Sequence, residues 1–455
     1  MSVVIIGGGI TGLAAAYELT QRHIPFTLLE ASARLGGLIW TEKVDGFTIE
    51  AGPDSLLAQK AAGIKLCEEL GLAPRLISTT PPRRAFVLEN NRLHPLPSPS
   101  VLGIPTTWSG IATYDLLPVA ARARLAMEPL IRRRPADARD ESIAAFFRRR
   151  FGSSTVRVIA EPLLGGIHAG DIERLSMRAL FPRLLEAETR GSVLRSLRRT
   201  RQPAVDGVFR SPAGGMAEIV TAIERRLDPH AVRVNTKATA LRRTETGWTV
   251  DAGGRHTARA VILAVPAHTA ARLFESVDDE AARLCADVPY ASTTSVTLAW
   301  PRSAIGHELA GSGFVVARSA TAPRITACTW VSSKWSGRAP AGWALIRVFI
   351  GGAADPQAVN LTDDELVAIA VRDISGVLSI RTPPELSRVY RWHDAGAQHD
   401  VGHLDRVQQI ESRLAGSPGI VVAGSGFRSV GIPDCIADGR AAAAATASYV
   451  AELLR

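Results

Sequence analysis

Three glycines near the N-terminus, Gly7, Gly9 and Gly12, have the spacing of a loop that holds the phosphates of a dinucleotide. An apolar run at 3–6 precedes them, an alanine-rich helical pattern follows, and a second apolar run at 27–29 ends at Glu30. Glycines allow the tight turn and the close approach of a pyrophosphate, and the N–H groups at a helix start attract it. A carboxylate placed like Glu30 accepts hydrogen bonds from ribose hydroxyls. The pattern predicts a dinucleotide cofactor, which on these residues alone can be FAD, NAD or NADP.

A second glycine turn follows Glu30 directly. The text "ASARLGGLIWT" contains Arg34, Gly36 and Gly37, and "GFTIEAGPDSLL" adds the segment 52–55. Backbone amides and an arginine in these segments could reach the pyrophosphate from its other side. The stretch resembles that of FAD enzymes of the amine oxidase and desaturase group, in which a strand-linked Glu precedes Arg-x-Gly-Gly. FAD is therefore the expected cofactor.

The elements that must position these loops are spread along the chain. Patterns of buried strands return at "RAVILAVP" (259–266) and "GIVVAGSG" (419–426), with shorter ones at 233–234 and 248–250, and the first two suit a return into the first sheet. Four more runs predict an antiparallel set: "SVTLAW", "GFVVAR", "ITACTW" and "ALIRVFIGG". Helical periods occur at 61–70, 119–132, 142–151 and 216–226, and the Pro- and Ser-rich text at 93–107 is predicted to be a connection.

This order of elements predicts an α/β chain, α+β overall, with a nucleotide domain assembled from separated segments. The Rossmann-like FAD-binding domain is assigned to 1–60, 205–270 and 405–455. A mixed-sheet substrate domain is assigned to 61–92 and 271–404, and a helical lobe to 93–204. The chain's 455 residues are enough for two or three such domains.

Arginine dominates the charge of the chain, which is formally +9. It occurs in groups at 132–134, 148–150 and 198–201, which we interpret as solvated helix faces. Nucleic acid, an anionic membrane or an acidic small molecule are the alternatives, but no aromatic-interleaved basic motif favours nucleic acid. Peripheral membrane contact is possible through the amphipathic segment 119–134.

The remaining composition argues against several other classes. The four cysteines are far apart, so neither a disulfide framework nor a metal site is predicted, and a reducing cytoplasm is the expected location. The first residues have no charged region ahead of the apolar run, unlike a signal peptide, and no apolar run is long enough for a membrane span.

Three further stretches carry a family resemblance that extends over nearly the whole chain. "EPLLGGIHAGDIERLSMRALFPRL", "ITACTWVSSKW" and "GIPDCIADGR" are similar to the FAD-dependent porphyrinogen oxidases of haem biosynthesis. The combination of "GIPDC" with "ITACTW" most resembles the bacterial branch that acts on coproporphyrinogen III, and protoporphyrinogen IX is the alternative substrate. The resemblance implies six electrons removed in three flavin cycles, with dioxygen as the expected acceptor. It assigns the chemistry to flavin N5 and no catalytic role to a side chain.

The resemblance also implies which residues form the site. For FAD it implies the following positions: Gly7, Gly8, Gly9, Ile10, Thr11, Gly12, Glu30, Ala31, Arg34, Gly36, Gly37, Leu38, Gly52, Pro53, Asp54, Ser55, Val234, Gly424, Gly431, Ile432, Pro433 and Asp434. For the substrate it implies Gly166, His168, Val315 and Phe349. A carbonyl at Gly166 would come near the pyrrole N–H groups, and Val315 with Phe349 would sandwich the rings. Transient contact with other haem-pathway enzymes is a further expectation.

The chain departs from the family pattern at three places near the expected site. His168 and His399 stand where bacterial members usually have tyrosine, and Phe427-Arg428-Ser429 stands where Phe-Glu-Gly is usual. We hypothesise that Arg428 pairs with a substrate propionate, because a guanidinium matches a carboxylate with two hydrogen bonds. A solvent-exposed arginine is the alternative.

Two other functions remain open at this point. The first is a flavin amine oxidase, which usually places a lysine near the flavin. Lys334, beside the aromatic Trp335, is the candidate for such a lysine. A non-catalytic FAD-binding protein is the other alternative.

Overall fold

The computed structural model describes residues 3–135, 138–200, 207–318 and 323–453. Its strands are β1 Val3–Ile6, β2 Phe26–Leu29, β3 Thr41–Val44, β4 Phe47–Glu50, β5 Leu56–Leu57, β6 Leu76–Ser78, β7 Ala85–Glu89, β8 Arg92–Pro95, β9 Ser100–Val101, β10 Ile104–Pro105, β11 Phe209–Pro212, β12 Val232–Arg233, β13 Ala240–Thr244, β14 Gly247–Asp251, β15 Arg255–Ala258, β16 Ala260–Leu263, β17 Tyr290–Pro301, β18 Gly313–Val316, β19 Ala327–Trp330, β20 Trp343–Gly351, β21 Leu386–Ala397 and β22 Ile420–Val422.

Its α-helices are α1 Ile10–Gln21, α2 Ala61–Glu69, α3 Trp108–Ala112, α4 Val119–Ala126, α5 Ile143–Phe151, α6 Ser153–Thr155, α7 Gly166–His168, α8 Met177–Leu180, α9 Pro182–Thr189, α10 Val193–Thr200, α11 Ala217–Glu224, α12 Ala267–Phe274, α13 Asp279–Ala286, α14 Val331–Lys334, α15 Asp363–Leu378, α16 His403–Leu414 and α17 Ile432–Glu452. A π-helical stretch, Val156–Gly165, leads into α7.

A parallel sheet with the order β12-β2-β1-β16-β22 lies at the centre of the nucleotide region. Alternate residues of β1 enter different cores: Val3 and Ile5 pack with α1 and α17, whereas Val4 and Ile6 pack with α12, α13 and α16. Strands that are buried on both faces read as continuous apolar runs, which explains the "VVII" of β1. The predicted return of β16 and β22 to this sheet is confirmed, since β16 pairs with both β1 and β22 in parallel.

A second sheet has the order β21-β17-β20-β19-β18-β7-β8. The predicted antiparallel set is confirmed in its β17–β20, β20–β19 and β19–β18 pairs. Along β20 the side chains alternate: Ile346 and Val348 pack under α15, while Arg347 and Phe349 lie on the opposite face. This face is turned toward the segment 50–52, because Arg347 donates hydrogen bonds to carbonyl groups of that segment.

The helical lobe has its own core, built on Phe146, Phe147 and Phe151 of α5. The sequence interpretation of 148–150 as a solvated face is wrong for Arg150, whose side chain is fully buried and paired with the buried Glu128. Ser192 Oγ and the N–H group of Val193 also donate to Glu128, so this carboxylate is held from several sides. A partner that lies 22 residues earlier in the chain cannot be recognised from local composition.

Two element boundaries differ from the sequence prediction. The helical period at 119–132 is shortened, because α4 ends at Ala126 and a 3-10 turn at Glu128–Leu130 follows it. The connection expected at 93–107 contains most of β8 and the short pair β9–β10. The domain boundaries stay a prediction, and Arg201 and the expected boundary at 204–205 lie outside the described residues. None of the helices in the described ranges is long and apolar enough to cross a membrane.

Candidate functional site

The N-terminal glycine loop has the geometry that a pyrophosphate needs. Gly7 has a φ of +106°, and a Cβ there would lie 2.4 Å from the carbonyl oxygen of Ala264. A Cβ at Gly12 would lie 1.9 Å from the carbonyl oxygen of Gly7, so only glycine lets α1 approach the strand. By contrast, a Cβ at Gly9 would meet none of the described atoms within 4 Å. Gly7 and Gly12 therefore serve the turn and the packing, while Gly9 borders open space.

The beginning of α1 fits a phosphate group. Gly9 is its N-cap, and no side chain in the described ranges caps the helix. The first N–H groups of an α-helix need partners from outside the helix, and their dipole favours an anion. Gly9, Ile10 and Thr11 thus offer donors beside the open space, as the sequence predicted for a cofactor loop.

Glu30 ends β2 beside this loop. Its Oε2 accepts a hydrogen bond from the N–H group of Gly8 at 2.6 Å, and its Oε1 accepts from the N–H group and hydroxyl of Ser32 at 2.7 Å each. The N–H group of Thr236 donates to the Glu30 carbonyl at 2.8 Å, which brings the half-exposed Val234 alongside. The structure therefore joins Glu30, predicted to contact the ribose, to Val234, predicted to contact FAD, although about two hundred positions separate them.

The second glycine turn packs directly on the first. The N–H group of Gly36 donates to the carbonyl of Gly8 at 2.8 Å, and a Cβ at Gly37 would lie 3.1 Å from the Cα of Gly9. The Arg34 guanidinium folds back onto its own turn and donates to the carbonyls of Ile39 at 3.1 Å and Gly37 at 2.6 Å. Burial lowers the pKa of Arg34, partly offset by Glu30. Ala31 and Leu38 belong to the same turn.

The segment 50–52 is held by side chains of the second sheet. Arg347 Nη1 donates to the carbonyls of Glu50 at 2.7 Å and Gly52 at 2.8 Å. The carbonyl between them, that of Ala51, accepts from Trp392 Nε1 at 2.9 Å and from Ser295 Oγ at 3.2 Å. Three consecutive carbonyls are thus fixed by the sheet, and the predicted cofactor contacts Gly52, Pro53, Asp54 and Ser55 follow directly.

Asp54 is the charged group of that segment. Its Oδ2 accepts from Lys334 Nζ at 2.7 Å and from Trp335 Nε1 at 3.2 Å. Burial alone would raise the pKa of Asp54, but Lys334 and Arg347 hold it well below its ordinary value. Lys334, the residue flagged for an amine oxidase, is therefore engaged in an ion pair with Asp54.

The chain returns to this place through β22 and α17. Gly424 has a φ of +111°, and its N–H group donates to Asp438 Oδ2 at 2.7 Å. Gly431 is the N-cap of α17, again without a capping side chain from the described part of the chain, and Pro433 lies in the first turn. Asp434 pairs with Lys60 at 2.5 Å. A second uncapped helix start, with Ile432 in its first turn, thus lies near the segment that follows Ser55.

Arg428 lies on the loop between Gly424 and Gly431, and its guanidinium has partners within the protein. It forms ion pairs with Glu411 and with Asp438, the latter at 3.1 Å, and it donates to the carbonyl of Val422 at 2.7 Å. These partners account for the arginine without a substrate carboxylate. Two carboxylates of the chain thus already pair with the guanidinium, and its pairing with a substrate propionate stays a prediction.

The two apolar residues expected to contact the substrate lie in one row across the second sheet. Val315 pairs with Ala327, and Ala327 pairs with Phe349, so two strand spacings of about 4.8 Å separate them. Both side chains are partly exposed, and the Arg347 guanidinium lies 4.6 Å from the centre of the Phe349 ring. The row continues to Ser295, which holds Ala51. One sheet face thus carries both the expected substrate contacts and the support of the cofactor segment.

Gly166 and His168 lie in α7, directly after the π-helical stretch. Gly166 is exposed, and a Cβ there would meet none of the described atoms within 4 Å. The His168 ring packs edge-on against Phe181 with centroids 5.7 Å apart, and its carbonyl accepts from Gln398 Nε2 at 3.0 Å. Burial, with smaller contributions from His399 and Lys60, lowers the pKa of His168 to about 4, so the ring is neutral near pH 7.

A stacked histidine pair lies behind the loop 424–431, and sequence reasoning assigned it no role. The rings of His399 and His403 are 3.9 Å apart and inclined by 9°. Because carbonyl oxygens only accept, His399 Nε2–H donates to Ser425 at 2.8 Å and His403 Nε2–H to Phe427 at 2.6 Å. Burial lowers both pKa values, that of His403 to about 3. A spacing of four residues hinted at proximity, but the pair spans the turn between β21 and α16, where helical spacing does not apply.

Comparison with known proteins gives consistent matches over the whole chain. The family model described as flavin containing amine oxidoreductase matches residues 10–447. The chain is 36% identical to coproporphyrinogen III oxidase of Bacillus subtilis over 98% of both chains. It is 28% identical to chloroplastic protoporphyrinogen oxidase 1 of Spinacia oleracea, over 99% of this chain and 85% of the spinach protein. A solved structure from an Exiguobacterium species, described as a putative protoporphyrinogen oxidase, superposes with a TM-score of 0.86 at 32% identity over 98% of both chains.

Proposed function

Because the chain belongs to the family of flavin containing amine oxidoreductases, we propose that it oxidises a porphyrinogen to the porphyrin, with coproporphyrinogen III as its substrate. The protein is an oxidoreductase, and its cofactor is FAD. The observation that carries the substrate assignment is the 36% identity to the Bacillus subtilis coproporphyrinogen III oxidase over 98% of both chains. The uncapped starts of α1 and α17, and the open space at Gly9, fit the phosphates and ring of a flavin dinucleotide.

The overall reaction removes six hydrogens from the macrocycle. The flavin supplies a two-electron acceptor, so three rounds are required. Over the three rounds the macrocycle loses three hydrides from meso carbons and three protons, one from the remaining meso carbon and two from pyrrole nitrogens. With dioxygen as the final acceptor, one porphyrinogen and three molecules of dioxygen yield one porphyrin and three molecules of hydrogen peroxide.

The chain's part in this reaction is to orient the macrocycle and to exclude water. Phe349 and Val315 offer apolar contact to its rings, and the exposed backbone at Gly166 leaves room for a carbonyl to approach the pyrrole N–H groups. Positioning of this kind lowers a barrier by several kcal/mol when the geometry is good. His168, two residues after Gly166 in α7, is neutral near pH 7, so its imidazole can accept a hydrogen bond.

Protoporphyrinogen IX is the second candidate substrate. It is favoured by the Exiguobacterium structure, whose description names a putative protoporphyrinogen oxidase. An amine is disfavoured, because Lys334 is engaged by Asp54. We further propose a cytoplasmic location and transient contact with enzymes that supply the porphyrinogen or consume the porphyrin.

Comparison of the two porphyrinogens on the purified holoenzyme tests the proposal. We expect coproporphyrinogen III to give porphyrin fluorescence at a higher kcat/KM than protoporphyrinogen IX, with three equivalents of peroxide per porphyrin. Under anaerobic conditions the yellow flavin absorbance should bleach on addition of the porphyrinogen. A large preference for protoporphyrinogen IX would overturn the substrate assignment, and bleaching by simple amines but not by porphyrinogens would overturn the reaction.

A further inference from the structure

Two buried histidines hold the loop 424–431, which joins β22 to α17. His399 and His403 stack at 3.9 Å and are at most 3% exposed. Their Nε2–H groups donate to the carbonyls of Ser425 at 2.8 Å and Phe427 at 2.6 Å. Both Nδ1 atoms are buried and make no hydrogen bond to the described atoms. Within the described part of the chain, the two ring donors therefore serve this loop alone.

The segment that carries the two histidines is itself fixed by the helical lobe. The N–H group of Ser176 donates to the His399 carbonyl at 2.8 Å. The N–H group of Gly402 donates to Asp140 Oδ2 at 3.3 Å, and the hydroxyl of Ser176 donates to the same oxygen at 2.6 Å. A hydrogen bond can position a loop only when its donor is held in place. The lobe supplies that hold on both sides of the stacked rings.

The loop leads into a run of N–H groups that have no acceptor among the described residues. The N–H group of Gly424 donates to Asp438 at 2.7 Å, and that of Phe427 donates to the carbonyl of Gly424 at 3.0 Å. By contrast, the N–H groups of residues 428–432 donate to no atom of the described ranges. Residues 431–434 are among the predicted contacts of FAD, so these donors border the expected cofactor. Consecutive N–H groups without acceptors attract negative charge.

We propose that His399 and His403 are positioning residues for the flavin, which keep the N–H groups of residues 428–432 available to the reduced ring. They act by fixing the peptide groups at Ser425 and Phe427, directly ahead of these donors. A peptide group released from the histidines can rotate and bring its carbonyl oxygen toward the ring, where it repels negative charge.

The consequence for the cofactor is electrostatic. Reduction adds two electrons and one proton to the flavin, so the ring system gains one negative charge. Fixed N–H donors stabilise that charge without reorganising, and they therefore raise the reduction potential of the bound flavin. The proposal rests on FAD as the cofactor of the proposed reaction and not on which porphyrinogen is oxidised.

The midpoint potential of the FAD-loaded full chain, titrated with a chemical reductant and a reporter dye, tests this proposal. His399→Phe and His403→Phe each keep a flat ring for the stack and lose the Nε2–H donor. Relative to oxidised FAD, reduced FAD should bind about tenfold more weakly in each variant. For a two-electron couple this lowers the midpoint potential by about 30 mV. His399→Gln and His403→Gln should keep the unaltered potential, because their amide N–H groups can donate to the same carbonyls.

His307→Phe is the matched control. His307 Nδ1 accepts a hydrogen bond from the N–H group of Leu309 at 2.9 Å, and its ring packs on Trp330 in the core under the second sheet. This variant also loses a ring hydrogen bond, so its urea midpoint should fall while its flavin potential stays unchanged.

An unchanged potential in the two Phe variants of the stacked pair would overturn the proposal. An equal fall in the two Gln variants or in His307→Phe would also overturn it, because a general loss of stability would then explain the shift. If one Phe variant does not fold, the other decides, since each ring holds a different carbonyl. The potential is measured without a porphyrinogen, so its outcome and that of the substrate assignment are independent.

Discussion

Replacement of Arg347 by methionine tests whether the second sheet positions the cofactor segment. The arginine is only 6% exposed, and one of its nitrogens holds the carbonyls of both Glu50 and Gly52. A hydrogen bond from a buried charged donor contributes about 1.5–3 kcal/mol. Methionine has a similar length and recovers part of this through apolar burial, so we expect a net loss of about 2–4 kcal/mol.

Two readouts separate positioning from general stability. If Arg347 mainly positions residues 50–55 for the cofactor, the lost free energy should appear in cofactor binding. FAD affinity, measured by fluorescence titration of the apoprotein, should then fall about thirtyfold to a thousandfold. The urea midpoint of the apoprotein should fall less than that of the holoenzyme, because the tightly bound cofactor contributes to holoenzyme stability. At saturating FAD, KM for the porphyrinogen should rise as well, since the guanidinium lies against the Phe349 ring.

Arg388→Met provides the matched control. Arg388 lies in the same row of the sheet, since Thr297 pairs with both arginines. Its guanidinium is 38% exposed and pairs with Glu42 at 2.9 Å at the surface, so its loss should cost no more than about 1 kcal/mol and leave FAD affinity unchanged. Unchanged FAD affinity in Arg347→Met, or equal losses in the two variants, would refute the reasoning.

Three further predictions concern other parts of the structure. Gly9→Ala should weaken FAD binding at least about tenfold, because the new Cβ points into the open space beside α1. The apoprotein should unfold at the same urea concentration as the unaltered apoprotein. Retained FAD affinity would contradict the role of that space. The free energy of unfolding should fall as the pH drops from about 6.5 toward 3. Between these values His403 binds a proton in the unfolded state, where its pKa is about 6.5, but not in the folded state, where its pKa is about 3. His403→Gln retains a donor for Phe427 and should make the urea midpoint fall less steeply over this range, and an unchanged slope would show that other groups dominate. Glu128→Gln leaves the Arg150 guanidinium buried without its counter-charge, so it should lower the free energy of unfolding in urea by about 3–5 kcal/mol. The kcat should stay unchanged. A loss below about 1 kcal/mol would show that the protein does not need the pair.

The cofactor loop was predictable from the sequence because its signals are local. Gly7, Gly9 and Gly12 are needed where the chain turns and where helix and strand approach, and these requirements act within a few residues. The strands of the central sheet were predictable for a related reason, since burial on both faces imposes a continuous apolar run. The resemblance to FAD-dependent porphyrinogen oxidases extended these signals to the whole chain, and the family comparison bears it out.

Other features were decided by contacts between distant segments, which periodicity does not record. Local composition predicts a surface position for Arg150, but Glu128 and Ser192 enclose it. The ion-pair partners of Arg428, Glu411 and Asp438, are likewise not indicated by its place in the sequence. Lys334 is likewise explained by Asp54, 280 positions earlier. The residue type alone does not show whether an arginine or a lysine contacts water, a substrate or a carboxylate of its own chain. The sequence by itself determined the glycine loops that we propose hold the cofactor. Only the tertiary structure decided which charges remain available around them, because pairing depends on distance in space.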